Sequence, residues 1–299
     1  MKVIVTGASG LLGRAVYKTI KETNSNYEVI GLAKSRVKND LKQLDLTDKS
    51  AVESLIEEIK PDVLIHCAAE RRPEVVEKNQ EVAFELNVNT TENLAKLSLK
   101  YKFLLIYIST DYVFDGKNPP YEVDDTPNPI NLYGNTKYQG ELAIQKINPD
   151  TSIILRVPIL YGEAESPAES SVNILVDSVK DSSKKADINN ISKRYPTNVE
   201  DVARVIKDLA VKRIEQNNPI KGISHFSANE MFTKYEICKT FAKILNCSID
   251  HLNPADSQPP SAAAKQPLNS HLSNKRLEEL DIDTKCVGFE EWWTKYLGV

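Results

Sequence analysis

Lys2-Val3-Ile4-Val5-Thr6-Gly7-Ala8-Ser9-Gly10-Leu11-Leu12-Gly13 decides the fold. An apolar, β-branched run leads directly into three glycines spaced three apart, and an amphipathic helical pattern follows over 11–22. A strand, a glycine turn and a helix in this order make a phosphate site: one glycine permits the tight turn, one lets backbone N–H groups approach a pyrophosphate, and one lets helix and strand pack closely. The helix N-terminus adds its partial positive charge. Thr6, Gly7, Ser9, Gly10, Leu11, Leu12 and Gly13 are therefore candidate contacts to a dinucleotide.

Reading outward, short apolar runs alternate with helical patterns. Strands are expected over 3–6, 29–32, 63–67, 103–109 and 152–156, and helices over 11–22, 49–60, 79–100 and 133–146. Near-continuous apolar strands separated by helices predict a doubly wound parallel α/β sheet of Rossmann type, with ligands at the carboxyl ends of the strands. After Gly162 the character changes. The stretch 163–193 is polar with few strand signals. A helix over 198–212, a strand over 222–226 and a helix over 233–245 capped by Thr233 are expected next. Four prolines mark 253–267 as a loop, and a short helix over 288–296 closes the sequence. The expected organisation is a nucleotide-binding domain from 1–162 plus about 196–226, and a smaller C-terminal, substrate-side lobe from about 163–195 and 227–299.

The end of the second strand bears on the nucleotide. A carboxylate there would hold a ribose 2′-hydroxyl. Leu32-Ala33-Lys34-Ser35-Arg36 offers two cations instead, which suit a 2′-phosphate through charge-assisted hydrogen bonds, so NADP(H) is the expected cofactor. Asp45 and Leu46, after a third short strand, are placed to touch adenine.

A second constellation is Tyr133-Gly134-Asn135-Thr136-Lys137. Residues four apart share a helical face, so the phenol and ammonium point the same way, and a neighbouring cation is expected to lower the phenol's pKa. Upstream, Ile108-Ser109-Thr110-Asp111-Tyr112 ends a strand, where a hydroxyl can polarise a carbonyl. Thr110, Tyr133 and Lys137 are the candidate catalytic residues; Lys137 also suits a nicotinamide ribose.

The 299 residues carry 38 Lys+Arg against 42 Asp+Glu, a net charge of −4, which gives no electrostatic reason to expect nucleic acid or an anionic membrane as partner. Cys67, Cys238, Cys247 and Cys286 lack metal-site or redox-motif spacing. No metal is expected, and inert thiols in a cytosolic or nuclear protein fit this usage. The sequence opens on a strand, without a signal-peptide pattern, and its longest apolar run, 103–108, is too short to span a bilayer.

The glycine loop, the Ser-Thr strand end and the Tyr-Lys pair, in this order, resemble the extended short-chain dehydrogenase/reductases. Ser109-Thr110-Asp111-Tyr112-Val113-Phe114-Asp115-Gly116, Pro196-Thr197-Asn198-Val199-Glu200-Asp201-Val202 and Pro267-Leu268-Asn269-Ser270 resemble the dTDP-4-dehydrorhamnose reductase branch (RmlD-like). Within it, His66-Cys67-Ala68-Ala69-Glu70-Arg71-Arg72-Pro73, 115–121, 131–134 and 155–162 look closest to the regulatory beta subunits of methionine adenosyltransferase. That resemblance implies an NADP(H)-binding regulatory subunit, acting in S-adenosylmethionine synthesis with a methionine adenosyltransferase catalytic subunit as partner. The alternative is an NADPH-dependent reductase of a 4-keto nucleotide sugar. The resemblance adds Cys67, Ala68, Ala69, Arg71, Asn87 and Pro158 to the cofactor contacts, with Pro158 beside the nicotinamide. Sugar reductases carry a tryptophan in the segment matched by 157–160, and none stands here. Regulatory subunits carry a tail beyond the last helix that enters the catalytic subunit, whereas this sequence runs to Val299. Docking is then expected through Trp292, Trp293 and Tyr296 of the last helix, unless Trp293 and Leu297 seal the smaller lobe instead.

Overall fold

The computed structural model describes residues 1–38, 40–257 and 264–298. Strand β1 (Lys2–Thr6) passes through the glycine turn into α1 (Leu11–Thr23), then β2 (Glu28–Ala33) and β3 (Lys42–Gln43). Helix α2 (Lys49–Ile59) brings the chain back to β4 (Val63–His66), on the other side of β1. Helices α3 (Pro73–Lys78) and α4 (Gln80–Phe84), a π-helical turn (Glu85–Asn89) and α5 (Thr90–Tyr101) lead to β5 (Leu104–Thr110). Helix α6 (Leu132–Ile147) crosses to β6 (Ser152–Val157). Among the described residues, the central sheet has seven strands, and each of its pairs is parallel.

Alternation along the strands explains why they read as continuously apolar. Val3 and Val5 face a core shared with Val16 and Ile20 of α1. Ile4 faces the opposite core, with Val52 and Ile56 of α2, Leu94 of α5 and Ile144 of α6. Both faces are covered, as a parallel sheet requires.

Beyond β6 the chain forms β7 (Leu160–Tyr161), α7 (Ile174–Lys180), β8 (Ala186–Asn189) and β9 (Thr197–Asn198). Helix α8 (Val199–Ile214) packs beside α1 on the first face, and β10 (Gly222–His225) adds to the sheet next to β6. Strand order is β10-β6-β5-β4-β1-β2-β3, so the winding reverses between β1 and β4. That reversal opens the crevice where such sheets take ligands.

Helix α9 (Lys234–Leu245) is capped as expected: Thr233 accepts from Glu236 N–H at 3.1 Å, and Glu236 returns a bond to the Thr233 N–H. Strand β11 (Leu252–Ala255) pairs with β8, and the chain continues through α10 (Lys275–Glu279) to α11 (Phe289–Leu297). A separate apolar cluster joins Tyr161, Leu175 and Val176 of α7, Phe241 of α9, and Phe289 and Trp293 of α11.

Several expectations are corrected. The polar stretch after Gly162 holds α7 and β8. The loop expected over 253–267 begins as β11, while 258–263 lie outside the described residues. The helix expected over 79–100 is broken by the π-helical turn. No helix among the described residues is long and apolar enough to cross a membrane.

Candidate functional site

Gly7 takes φ +66°, and a Cβ there would meet the Ala68 backbone at 2.9 Å. A Cβ on Gly13 would stand 2.1 Å from the Gly7 carbonyl oxygen. Side chains are thus excluded at the turn by backbone conformation and at the helix by close packing. The first turn of α1 has no acidic residue, and its N-cap Gly10 places no side chain over the free N–H groups. Those groups remain open to an anion.

This turn forms one wall of a cavity of about 460 Å³. Its lining includes Gly7, Ser9, Gly10, Leu11, Leu12 and Gly13 from the loop, and Lys34, Arg36, Asp45 and Leu46 from the β2–β3 side. Cys67, Ala68, Ala69 and Arg71 follow β4; Thr110, Tyr133, Lys137 and Pro158 complete the far end. The structure thus brings together, in one cleft, residues drawn from six strand ends and two helices. Thr6 and Asn87 are not among the lining residues. Thr6 is buried, with its hydroxyl 2.8 Å from His66 Nδ1 and accepting from Ala68 N–H at 3.3 Å. Both residues fix the loops that form the wall.

At the β2 end the two cations already have partners. Lys34 Nζ lies 2.7 Å from Asp45. Arg36 donates to Glu169, a residue from the short turn Pro167–Glu169 that sequence patterning did not single out. Glu169 also takes two bonds from Arg14, at 2.5 and 3.1 Å. Burial pushes its carboxyl up, but Arg14 and Arg36 outweigh that and hold it at about 2.

The three candidate catalytic residues meet at the other end. Asn131 caps α6 by accepting from Gly134 N–H at 2.8 Å, which fixes the turn carrying Tyr133. Lys137 is buried one turn on, its Nζ 4.0 Å from the Tyr107 ring centroid. Thr110 Oγ1 accepts from Tyr112 N–H and donates to Asp111 Oδ1, each at 3.2 Å. Tyr133 shares a hydrogen bond with Thr110, and Tyr112 meets its ring edge-on at 6.0 Å. The expected acidification of the phenol is corrected here. Burial pushes Tyr133 up to about 12, more than Thr110 and Arg71 lower it. Burial likewise pulls Lys137 down to about 7, against the opposing Glu141 carboxylate. At neutral pH the phenol holds its proton and is a donor.

Three further residues of this end were not among the site residues expected from the sequence. Asp111 lines the cavity, and burial pushes its carboxyl up to about 6 against Ser270 and Arg194. Lys234 and Gln266 reach the same cavity from beyond the sheet. Arg71 stands at the rim, donating to the Ala168 carbonyl at 3.3 Å, while Arg72 is paired with Glu70 at 2.7 and 2.8 Å. Cys67 also lines the cleft, and burial pushes its thiol up to about 12, which keeps it protonated.

The model of the RmlD substrate-binding domain family matches residues 1–294. The chain belongs to that family. Among its relatives, methionine adenosyltransferase 2 subunit beta of Xenopus laevis is 46% identical over 293 residues, covering 97% of this chain and 86% of the relative. Among solved structures, a dTDP-4-dehydrorhamnose reductase of Clostridium acetobutylicum superposes with a TM-score of 0.84 at 29% identity, covering 100% of this chain and 99% of that one. The dTDP-4-dehydrorhamnose reductase of Bacillus anthracis, solved in complex with NADP, also gives 0.84, at 27% identity, over 100% and 99% of the two chains. RmlD-family membership accounts for the parallel sheet and the cleft at its switch point.

Proposed function

We propose that this RmlD-family chain is an NADP(H)-binding regulatory subunit of a methionine adenosyltransferase. The observation that carries the reading is the 46% identity over 97% of the chain to methionine adenosyltransferase 2 subunit beta. The cleft supports its nucleotide part. The uncapped start of α1 would receive the pyrophosphate, Arg36 with Lys34 the 2′-phosphate, Lys137 the nicotinamide ribose and Pro158 the nicotinamide side. In this reading residues 1–162 with about 196–226 form the nucleotide-binding unit, and the remainder the substrate-side lobe. The test is co-expression with the methionine adenosyltransferase catalytic subunit of its own organism. Co-elution as a complex and an altered rate of S-adenosylmethionine synthesis are expected; separate elution with an unchanged rate overturns the reading.

A second reading, reduction of a carbonyl such as a 4-keto nucleotide sugar, is favoured by the assembled Thr110, Tyr133 and Lys137. Bound NADPH supplies a hydride. Tyr133, protonated at neutral pH, would donate its proton to the carbonyl oxygen. Thr110 would hydrogen-bond the same oxygen, and Lys137 would stabilise the tyrosinate that remains.

A further inference from the structure

The segment 163–170 lies across the nucleotide side of the cleft, where cations from helix α1 and from the loops after β2 and β4 grip it. Arg14 donates to the Glu163 carbonyl at 3.4 Å and, through both terminal nitrogens, to Glu169. Arg36 donates to Glu169 and lies 3.8 Å from Glu165. Lys38 lies 3.5 Å from Glu165, and Arg71 bonds the Ala168 carbonyl. The centre of this strap is the Glu169 carboxylate. Its side chain is only 9% exposed, and it accepts a further bond from Glu165 N–H at 3.1 Å. Arg14 ties it to the glycine loop by donating to the Ser9 carbonyl at 2.8 Å.

We propose that Glu169 is a specificity-determining residue for the nucleotide, an acid supplied from the strap that restrains the preference of the cleft for a 2′-phosphate. The inference rests on the dinucleotide reading above. Absence of an acid at the end of β2 predicts strong selection of NADP(H), but the structure places an acid on Arg36 from 133 residues away. A 2′-phosphate arriving at Arg36 must share or displace this carboxylate, bringing like charges together in a half-buried site. A ribose 2′-hydroxyl meets no such repulsion and can itself donate to a carboxylate. Glu169 thus opposes one nucleotide and tolerates the other.

The test compares dissociation constants of NADP⁺ and NAD⁺, measured by calorimetry on the full chain and on Glu169→Gln. In the variant, NADP⁺ binding tightens about tenfold or more, the scale of one charge-assisted hydrogen bond, while NAD⁺ binding stays within about twofold. Arg36→Ala removes this gain when combined with Glu169→Gln. If Glu169→Gln fails to fold, Glu169→Asp, which withdraws the charge by one methylene, shifts the same ratio in the same direction. An unchanged ratio, or weaker NADP⁺ binding in the variants, overturns the role of Glu169 alone. A wild-type chain that binds neither nucleotide overturns the dinucleotide reading with it.

Discussion

Asn87 makes both main-chain hydrogen bonds of Glu70: its Oδ1 accepts from the Glu70 N–H at 2.9 Å, and its Nδ2 donates to the Glu70 carbonyl at 3.1 Å. The same Nδ2 reaches Thr136 Oγ1 at 3.1 Å, between Tyr133 and Lys137 on α6. One buried amide therefore ties the loop carrying Arg71 to the helix carrying the phenol. Asn87→Ala leaves polar groups of the loop without their partners, and denaturant unfolding should show a loss of about 1–3 kcal/mol. Asn87→Asp keeps the acceptor, loses the donor and buries a charge, so it should be no milder. Dinucleotide affinity should fall in both. Unchanged stability in Asn87→Ala would show that the loop is held by other contacts.

The Tyr133 hydroxyl separates the two functional readings. Tyr133→Phe removes the proton donor but leaves the cavity wall in place. If the chain is a reductase, NADPH oxidation with a 4-keto sugar nucleotide should vanish, while NADPH affinity stays near that of the wild type. If it acts as a regulatory subunit, the same change should leave its effect on S-adenosylmethionine synthesis nearly untouched. Robust wild-type turnover would favour the reductase.

Two buried carboxyls make opposite contributions to stability on the acid side. Asp111 is raised from 3.8 to about 6 by burial, so the native state takes up its proton first. Its contribution to stability falls as pH rises from about 4 to about 6, and Asp111→Asn should remove that decline. Glu169 is held at about 2 against 4.5 when unfolded. Its contribution is present above about 4.5 and is lost as pH falls towards 2. Glu169→Gln should therefore differ most from wild type near neutral pH and converge with it in acid. Unfolding curves between pH 3 and 7 check both; parallel pH profiles for the two variants would contradict the assignment.

Legibility in the sequence followed range. The glycine turn and the Tyr133–Lys137 pair lie within single turns of chain, and their spacing alone predicts where the side chains point. The strands of the central sheet read correctly because burial on both faces leaves them continuously apolar. Glu169 was not legible, because its partners Arg14 and Arg36 lie 155 and 133 residues away and its own stretch has no periodic pattern. The same holds for β11 against β8, where Pro254 sits inside a strand that lies in a two-stranded sheet. Asn87 was expected at the cofactor. The π-helical turn, invisible to a 3.6-residue pattern, instead lets its amide bond the chain behind the cleft wall.

Helix α11 offered two roles in the sequence, and the structure divides them between a buried aromatic and an exposed one. Trp293 is 1% exposed and packs against Phe241 at 4.6 Å, Tyr161 at 5.8 Å and Phe289 at 6.1 Å between ring centroids. It is a core residue, so removing the chain after Asp283 would open that cluster rather than trim a surface. Trp293→Ala should cost about 3–5 kcal/mol in denaturant unfolding. Its Nε1 has no hydrogen-bond partner among the described residues, so Trp293→Phe deletes an unmatched donor with part of the ring volume and should cost clearly less. Tyr296, one turn on, is 42% exposed, meets Trp293 edge-on at 5.5 Å and stacks on Trp292 at 4.7 Å. Tyr296→Ala should leave stability within about 1 kcal/mol of wild type, as for other surface changes. If α11 docks a methionine adenosyltransferase, Tyr296→Ala is the change that weakens co-elution while the fold stays intact. Full retention of the complex by Tyr296→Ala would move the docking surface off this helix.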